Sequence, residues 1–191
     1  ALRATRKPCI EVDMLPNRGL PEHIPVTRWL LVGVASQQLW LCDGHVVIAQ
    51  YLISTAANGL GEREGSEQTP RGWHVVRARI GANAPLASVF RGRRPTGEIC
   101  SPELQAQFPK RDWILTRILW LSGSELGFNR GKNALGCVDS MRRYIYVHGT
   151  PESEPMGIPR SHGCIRMRNT DIVSLFDEVP AYAPVYISEL A

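Results

Sequence analysis

Tyr146-Val147-His148-Gly149-Thr150 and Ser161-His162-Gly163-Cys164-Ile165-Arg166 are the two stretches on which the reading of this chain turns. Arg143 to His148 is apolar and β-prone and reads as a strand ending at the histidine. With a period of two, Tyr144, Tyr146 and His148 share one face, so Tyr146 either lines a cleft with His148 or packs in the core. A thiol attacks as its thiolate, so a reactive cysteine needs a base or a positive neighbour. His148 can be that base for Cys164. A Pro- and Gly-rich stretch separates them, so only the fold can bring them together.

Acyl transfer assigns the other residues. Cys164 is the nucleophile, and His148 takes its proton and returns one to the leaving amine. The backbone amides of Gly163 and Cys164, with His162, are candidates for an oxyanion site, where one lost donor raises the barrier by about 3 kcal/mol. Gly163 lets the backbone turn sharply and approach a substrate. Ser161 fixes the loop. Arg166 holds the loop through backbone carbonyls or meets a substrate carboxylate. Two blander readings compete: an inert buried thiol, and a zinc site from His148, His162 and Cys164. Their spacing is unlike the usual ligand pairs, so no metal is expected.

Outward from the motif, Trp29–Val34, Gln38–Cys42 and His45–Ser54 read as a β-meander, with Asp43-Gly44 as a hairpin turn. Trp73–Ile80 and Trp113–Leu121 read as strands, the second buried, with its aromatics in the core. His74 is expected to be a packed or surface residue. Residues 81–112 are broken by Pro and Gly and read either as a flap over the site or as a surface excursion with one short strand near Ala87–Phe90. Ser122 to Asn133 reads as a loop. Thr170–Val179 is the one clear helix, capped by Asn169 or Thr170 and stopped by Pro180, and Pro184–Ser188 is a last strand.

The chain has 191 residues and a net charge of +4, which suggests one domain and a mild attraction to anionic polymers. No aromatic-basic interleaving accompanies Arg91-Gly92-Arg93-Arg94, so nucleic acid is not an expected partner. No apolar run approaches the ~20 residues of a membrane span, and no apolar core follows Arg3, Arg6 and Lys7 as in a signal peptide. The start at Ala1 rather than Met fits a processed exported protein or a recombinant boundary alike. If Cys164 is the nucleophile, Cys9, Cys42, Cys100 and Cys137 remain; they form two disulfides in an oxidising compartment or serve as small buried hydrophobes.

Taken together, the His-Gly and Ser-His-Gly-Cys-apolar-Arg segments resemble the L,D-transpeptidase (YkuD-type) family. Thr69-Pro70-Arg71-Gly72 is similar to that family's Thr-Pro-x-Gly segment. The resemblance covers roughly residues 27–188 and leaves 1–26 as an N-terminal arm before a catalytic domain at 27–191. It implies a mainly β fold, a sandwich-like arrangement of mixed strands with one or two helices. It implies that the Gly149 carbonyl orients His148, since no Asp or Asn is placed to do so. It also implies L,D-transpeptidation of peptidoglycan tetrapeptide stems, without a cofactor, in a periplasmic or cell-wall-facing location, by an enzyme that carbapenems acylate. The acyl group would pass to a second stem, to a wall-anchored protein or to a D-amino acid. An L,D-carboxypeptidase or amidase using water, and a non-catalytic wall-binding module, are the alternatives.

Overall fold

The computed structural model describes residues 10–15 and 19–191. Its strands are β1 (Arg28–Gly33), β2 (Gln38–Asp43), β3 (Val46–Leu52), β4 (Gly72–Ile80), β5 (Ser88–Arg91), β6 (Arg94–Ile99), β7 (Ile114–Gly123), β8 (Lys132–Asn133), β9 (Gly136–Cys137), β10 (Tyr146–Gly149), β11 (Ile165–Met167) and β12 (Pro184–Ser188). Two short helices join them, α1 (Pro102–Gln107) and α2 (Asn169–Glu178). Ten strands form one mixed sheet whose main path is β11-β10-β7-β4-β12-β1-β2-β3, with β5 and β6 attached to β7; β8 and β9 pair separately.

Neighbouring residues of the first strands sort by parity. Leu30 and Val32 of β1 join Leu39 and Leu41 of β2 in the main core. Trp29 and Leu31 join Trp40, Cys42 and Ala191 in a second cluster on the other face. Both faces of β1 are covered, which explains its unbroken apolar run. β3 alternates exposed and half-buried residues, as a strand with one wet face should. Gly44, at φ +55°, makes the turn expected from Asp43-Gly44.

The sheet closes on itself. Just past β3, Ser54 N–H donates to the Arg166 carbonyl and Arg166 N–H donates back to Ser54, each at 2.9 Å. This bridge joins the two ends of the strand order, and α2 packs Ile172, Leu175 and Phe176 into the enclosed core. The expected mainly β domain of mixed strands is therefore present, and the layers are parts of one folded-over sheet. Of the N-terminal arm, the described turn Val12–Met14 places Val12 against the Trp29–Trp40 cluster.

Residues 81–112 are more regular than their composition suggests. They form the β5–β6 hairpin and α1, whose N-cap Ser101 accepts from Leu104 N–H at 3.2 Å. β6 contains Pro95 and Gly97 and pairs only with β5, an edge position where proline removes no needed bond. Two other expectations are corrected, and the open choice for the cysteines is answered at three positions. β10 begins at Tyr146, because Tyr144 has φ +57° and turns out of the strand, leaving it 53% exposed. Neither Asn169 nor Thr170 caps α2, because the buried Asn169 amide is committed to the Thr150 carbonyl at 2.9 Å. Cys42, Cys100 and Cys137 are free thiols rather than partners in disulfides among the described residues. Cys42 and Cys100 pack in apolar clusters as small hydrophobes, while Cys9 lies outside the described residues.

His74 is buried between the Gly72 carbonyl, 3.0 Å from Nδ1, and Ser140 Oγ, 2.8 Å from Nε2. Burial pulls its pKa down to about 4, partly opposed by the Gly72 carbonyl. The unfolded chain binds the proton first, near 6.5, so stability is full above that pH and falls as pH drops towards 4. The loss is about 3 kcal/mol. Urea midpoints between pH 7 and 4.5 should fall in the native protein, and a His74→Gln variant should lose that part of the slope.

Candidate active site

β10 and β11 run parallel, with Val147 beside Ile165 and His148 beside Arg166. Val147, Ile165 and Met167 enter the main core. Alternation therefore sends Tyr146, His148, Cys164 and Arg166 to the opposite face. The register brings the two sequence motifs onto one surface.

Hydrogen bonds from Ser161 and Thr69 shape the loop that delivers Cys164. Ser161 Oγ donates to the Cys164 carbonyl at 2.5 Å and accepts from Gly163 N–H at 3.2 Å. Thr69 Oγ1 donates to the Gly163 carbonyl at 3.0 Å and accepts from Ala56 N–H at 3.0 Å. Gly163 has φ +126°, and a Cβ there would stand 3.3 Å from the Gln68 carbonyl oxygen, so glycine is required. Arg143 braces the same wall by donating to the Gln68 carbonyl and, at 3.0 Å, to that of Gly61. With the Gly163 amide committed to Ser161, the His162 and Cys164 amides are the loop donors without a hydrogen-bond partner among the described residues.

His148 is buried, and its Nδ1–H donates to the Gly149 carbonyl at 2.7 Å. That bond leaves Nε2 as the nitrogen with a lone pair. Burial lowers the His148 pKa; Asp112 and the Gly149 carbonyl raise it, and Arg166 lowers it. Cys164 Sγ donates to the Tyr144 carbonyl at 3.4 Å and accepts from Tyr146 N–H at 3.4 Å. Burial pushes the Cys164 thiol up to about 12; the Tyr146 amide pulls it down, Asp112 pushes it up, and Arg166 and Arg143 pull it down. Both shifts favour a neutral thiol beside a neutral imidazole at rest. The thiol is engaged with the Tyr144 carbonyl rather than with His148.

Around this pair, Arg166 donates to Asp112 at 2.8 Å, to Glu154 at 3.2 Å and to the Arg160 carbonyl at 3.3 Å. Its charge is thus matched by two carboxylates. His162 is exposed, with Nδ1 3.9 Å from Asp112. It stands between a cleft of about 390 Å³ bearing Lys110, Asp112, Arg160 and Arg166 and one of about 290 Å³ bearing Glu64, Glu67, Arg142 and Tyr144. Tyr146 is buried; its hydroxyl accepts from Arg93 at 3.0 Å, and its ring packs edge-on to Trp120. Among the described residues no group of three His, Cys, Asp or Glu could hold a metal ion. Sequence reasoning passed over Asp112, Arg143 and Arg93. Each is a charged residue in a loop or turn, and each meets the site only through contacts distant in sequence.

Residues 27–187 match the family model described as YkuD, L,D-transpeptidase catalytic domain. The chain belongs to that family. A 38-residue stretch is 47% identical to the probable L,D-transpeptidase YbiS of Escherichia coli (strain K12), covering 20% of this chain and 12% of that protein. L,D-transpeptidase 3 from Mycobacterium tuberculosis, solved with a faropenem-derived adduct, superposes with a TM-score of 0.51 at 14% identity, covering 85% of this chain and 60% of that one. Bd1075 of Bdellovibrio bacteriovorus gives 0.51 at 17% identity, covering 92% and 52%. These two likenesses show the fold, and this chain spans less than two thirds of each relative.

Two outcomes check the geometry. Iodoacetamide alkylation of Cys164 should keep accelerating through pH 9 and beyond; a rate already flat at neutral pH would mean a resting thiolate. Thr69→Val, which leaves the buried Ala56 amide and Gly163 carbonyl without their partner, should cost about 1–3 kcal/mol in a urea melt.

Proposed function

We propose that the protein is a cysteine-dependent L,D-transpeptidase acting on peptidoglycan tetrapeptide stems through an acyl-enzyme. The observation that carries this reading is the Nδ1–H bond from His148 to the Gly149 carbonyl. It leaves Nε2 free as a base on the face that bears Cys164.

Cys164 Sγ attacks the carbonyl of the diamino acid at the third stem position as its proton passes to His148 Nε2. The oxyanion is met by the Cys164 and His162 amides. Collapse breaks the bond to the terminal D-alanine, whose nitrogen takes the proton from His148, and leaves a thioester on Cys164. An amine of a second stem then attacks the thioester, gives its proton to Nε2 and regenerates the thiol, yielding a three-to-three cross-link. A wall-anchored protein or a D-amino acid is an alternative acceptor. Because thiol and imidazole are both held neutral, proton transfer accompanies attack rather than preceding it. Tyr146 walls the donor side. Ser161 and Arg166 act by holding the loop, a role supported by Arg166 already facing two carboxylates.

Two clefts flanking His162 favour transfer over hydrolysis, since transfer needs places for two stems and water needs none. The substrate places the enzyme at a periplasmic or cell-wall-facing location. No helix among the described residues is long and apolar enough to cross a membrane.

Purified disaccharide-tetrapeptide, analysed by mass spectrometry after incubation, should yield a dimer lacking one alanine. Cys164→Ala should abolish it, and His148→Ala should slow it by about a hundredfold or more. Tripeptide alone would make water the acceptor. A carbapenem should add its mass to the native protein and not to Cys164→Ala; absence of both adduct and turnover would leave only the binding-module reading.

A further inference from the structure

The β5–β6 hairpin turns at Gly92 and Arg93, with φ +54° and +67°, between the paired residues Arg91 and Arg94. Such a two-residue turn is rigid and fixes where Arg93 projects. The guanidinium reaches the aromatic wall beside the thiol. Nη1 donates to Tyr146 Oη at 3.0 Å. Cζ lies 4.4 Å from the Trp120 ring centroid and 5.0 Å from that of Tyr144. Tyr146 and Tyr144 are also the residues whose backbone N–H and carbonyl hold Cys164 Sγ. Arg93 is thus linked to Cys164 Sγ through the length of Tyr146 and a hydrogen bond at each end of it.

Its charge is unanswered. Arg166 faces Asp112 and Glu154, Arg111 faces Glu98, and Arg143 faces backbone carbonyls. Arg93 makes no ion pair with any acidic side chain among the described residues, and no acidic residue of the sequence lies outside them. Its Nε and Nη2 have no acceptor among the described residues, since its one hydrogen bond is from Nη1 to Tyr146. A guanidinium stacked on aromatic rings, with N–H groups left over, is a planar receptor for a carboxylate.

We propose that Arg93 binds the terminal carboxylate of the residue expelled when Cys164 attacks, an assignment that rests on the transpeptidase reading above. In the residue after the scissile carbonyl, the carboxylate carbon lies about 4 Å from the reacting carbon. The anion of a bound donor therefore stays within a few ångströms of Sγ, and Arg93, seated on the two tyrosines that contact Sγ, is an unpaired cation on that side of the thiol. The hairpin then reads the donor's end, favouring a stem that stops there with a free carboxylate over one that is amidated or continues.

The test pairs Arg93→Asn, which suits the left-handed turn, with Arg93→Lys and with Arg91→Gln as a charge control on the same hairpin. Tetrapeptide donors ending in a free carboxylate or in an amide are compared by kcat/KM. Separately, Cys164 is titrated with anionic sulfonatoethyl and cationic trimethylammonioethyl methanethiosulfonate, whose rate ratio reports the charge near the thiol without any stem peptide. Native protein should prefer the acid donor; Arg93→Asn should lower that preference by roughly tenfold or more. The same variant should lower the anionic-to-cationic ratio severalfold, with Arg93→Lys restoring part of both and Arg91→Gln leaving both as in the native protein. An unchanged reagent ratio in Arg93→Asn overturns the proposal even if the stem is a substrate. A shifted reagent ratio with an unshifted donor preference overturns the assignment to the departing carboxylate. A shifted reagent ratio in a protein that turns over neither donor keeps the anion site and sinks the stem-peptide reading.

Discussion

The parallel pairing of β10 with β11 is the constraint from which the site follows. Parallel neighbours need a long crossover, commonly a helix. Here residues 150–164 make the crossover without one, so its path must be held by side chains. Arg166 does much of this, reaching back from β11 to the Arg160 carbonyl and to Asp112 and Glu154. Arg168 adds a bond to the Glu152 carbonyl at 2.8 Å. The residue that follows Cys164 by two thus fixes the loop that leads into it. The Ser54–Arg166 bridge then ties the same strand to the far edge of the sheet.

His148 is buried and Cys164 half-buried, and desolvation favours the neutral form of each. A buried thiolate–imidazolium pair would need compensation that one Tyr146 amide and distant guanidinium groups do not supply. The protein keeps both groups neutral and parks the thiol hydrogen on the Tyr144 carbonyl. This carbonyl is available because Tyr144 turns out of the strand at φ +57°. The same distortion that ends the ladder therefore provides the acceptor that holds the Cys164 thiol. In the proposed reaction, Cys164 would turn from Tyr144 towards His148 as the acyl group arrives.

Much of this was legible in the sequence where a local signal exists. Asp43-Gly44 gave away its turn, and the strands carrying the two motifs pair side by side. β6 was hidden because Pro95 and Gly97 argue against a strand unless it is known to be an edge. The face shared by Tyr144, Tyr146 and His148 failed at one backbone angle that residue type does not announce. The even count of cysteines after setting Cys164 aside suggested pairs, yet Cys42 and Cys100 serve as apolar filler. Asp112, Arg143 and Arg93 could not be found at all, since their meaning lies only in what they touch across the sheet.

The loop's rigidity is also what would give its amides catalytic value. Ser161 and Thr69 hold the Gly163 peptide from both sides, so the neighbouring His162 and Cys164 N–H groups are oriented before any substrate arrives. Donors fixed in this way lose no energy to reorganisation when charge develops on the oxygen. Thr69 reaches the loop from the segment before β4, and Arg143 holds the adjoining Gln68 carbonyl. Ser161 and the Thr69 segment therefore meet at Gly163, with Arg143 bracing the Thr69 side from a third part of the chain. The sheet's closure brings the segment after β3 against the Cys164 loop, and Thr69 bridges the two by accepting from Ala56 N–H and donating to the Gly163 carbonyl.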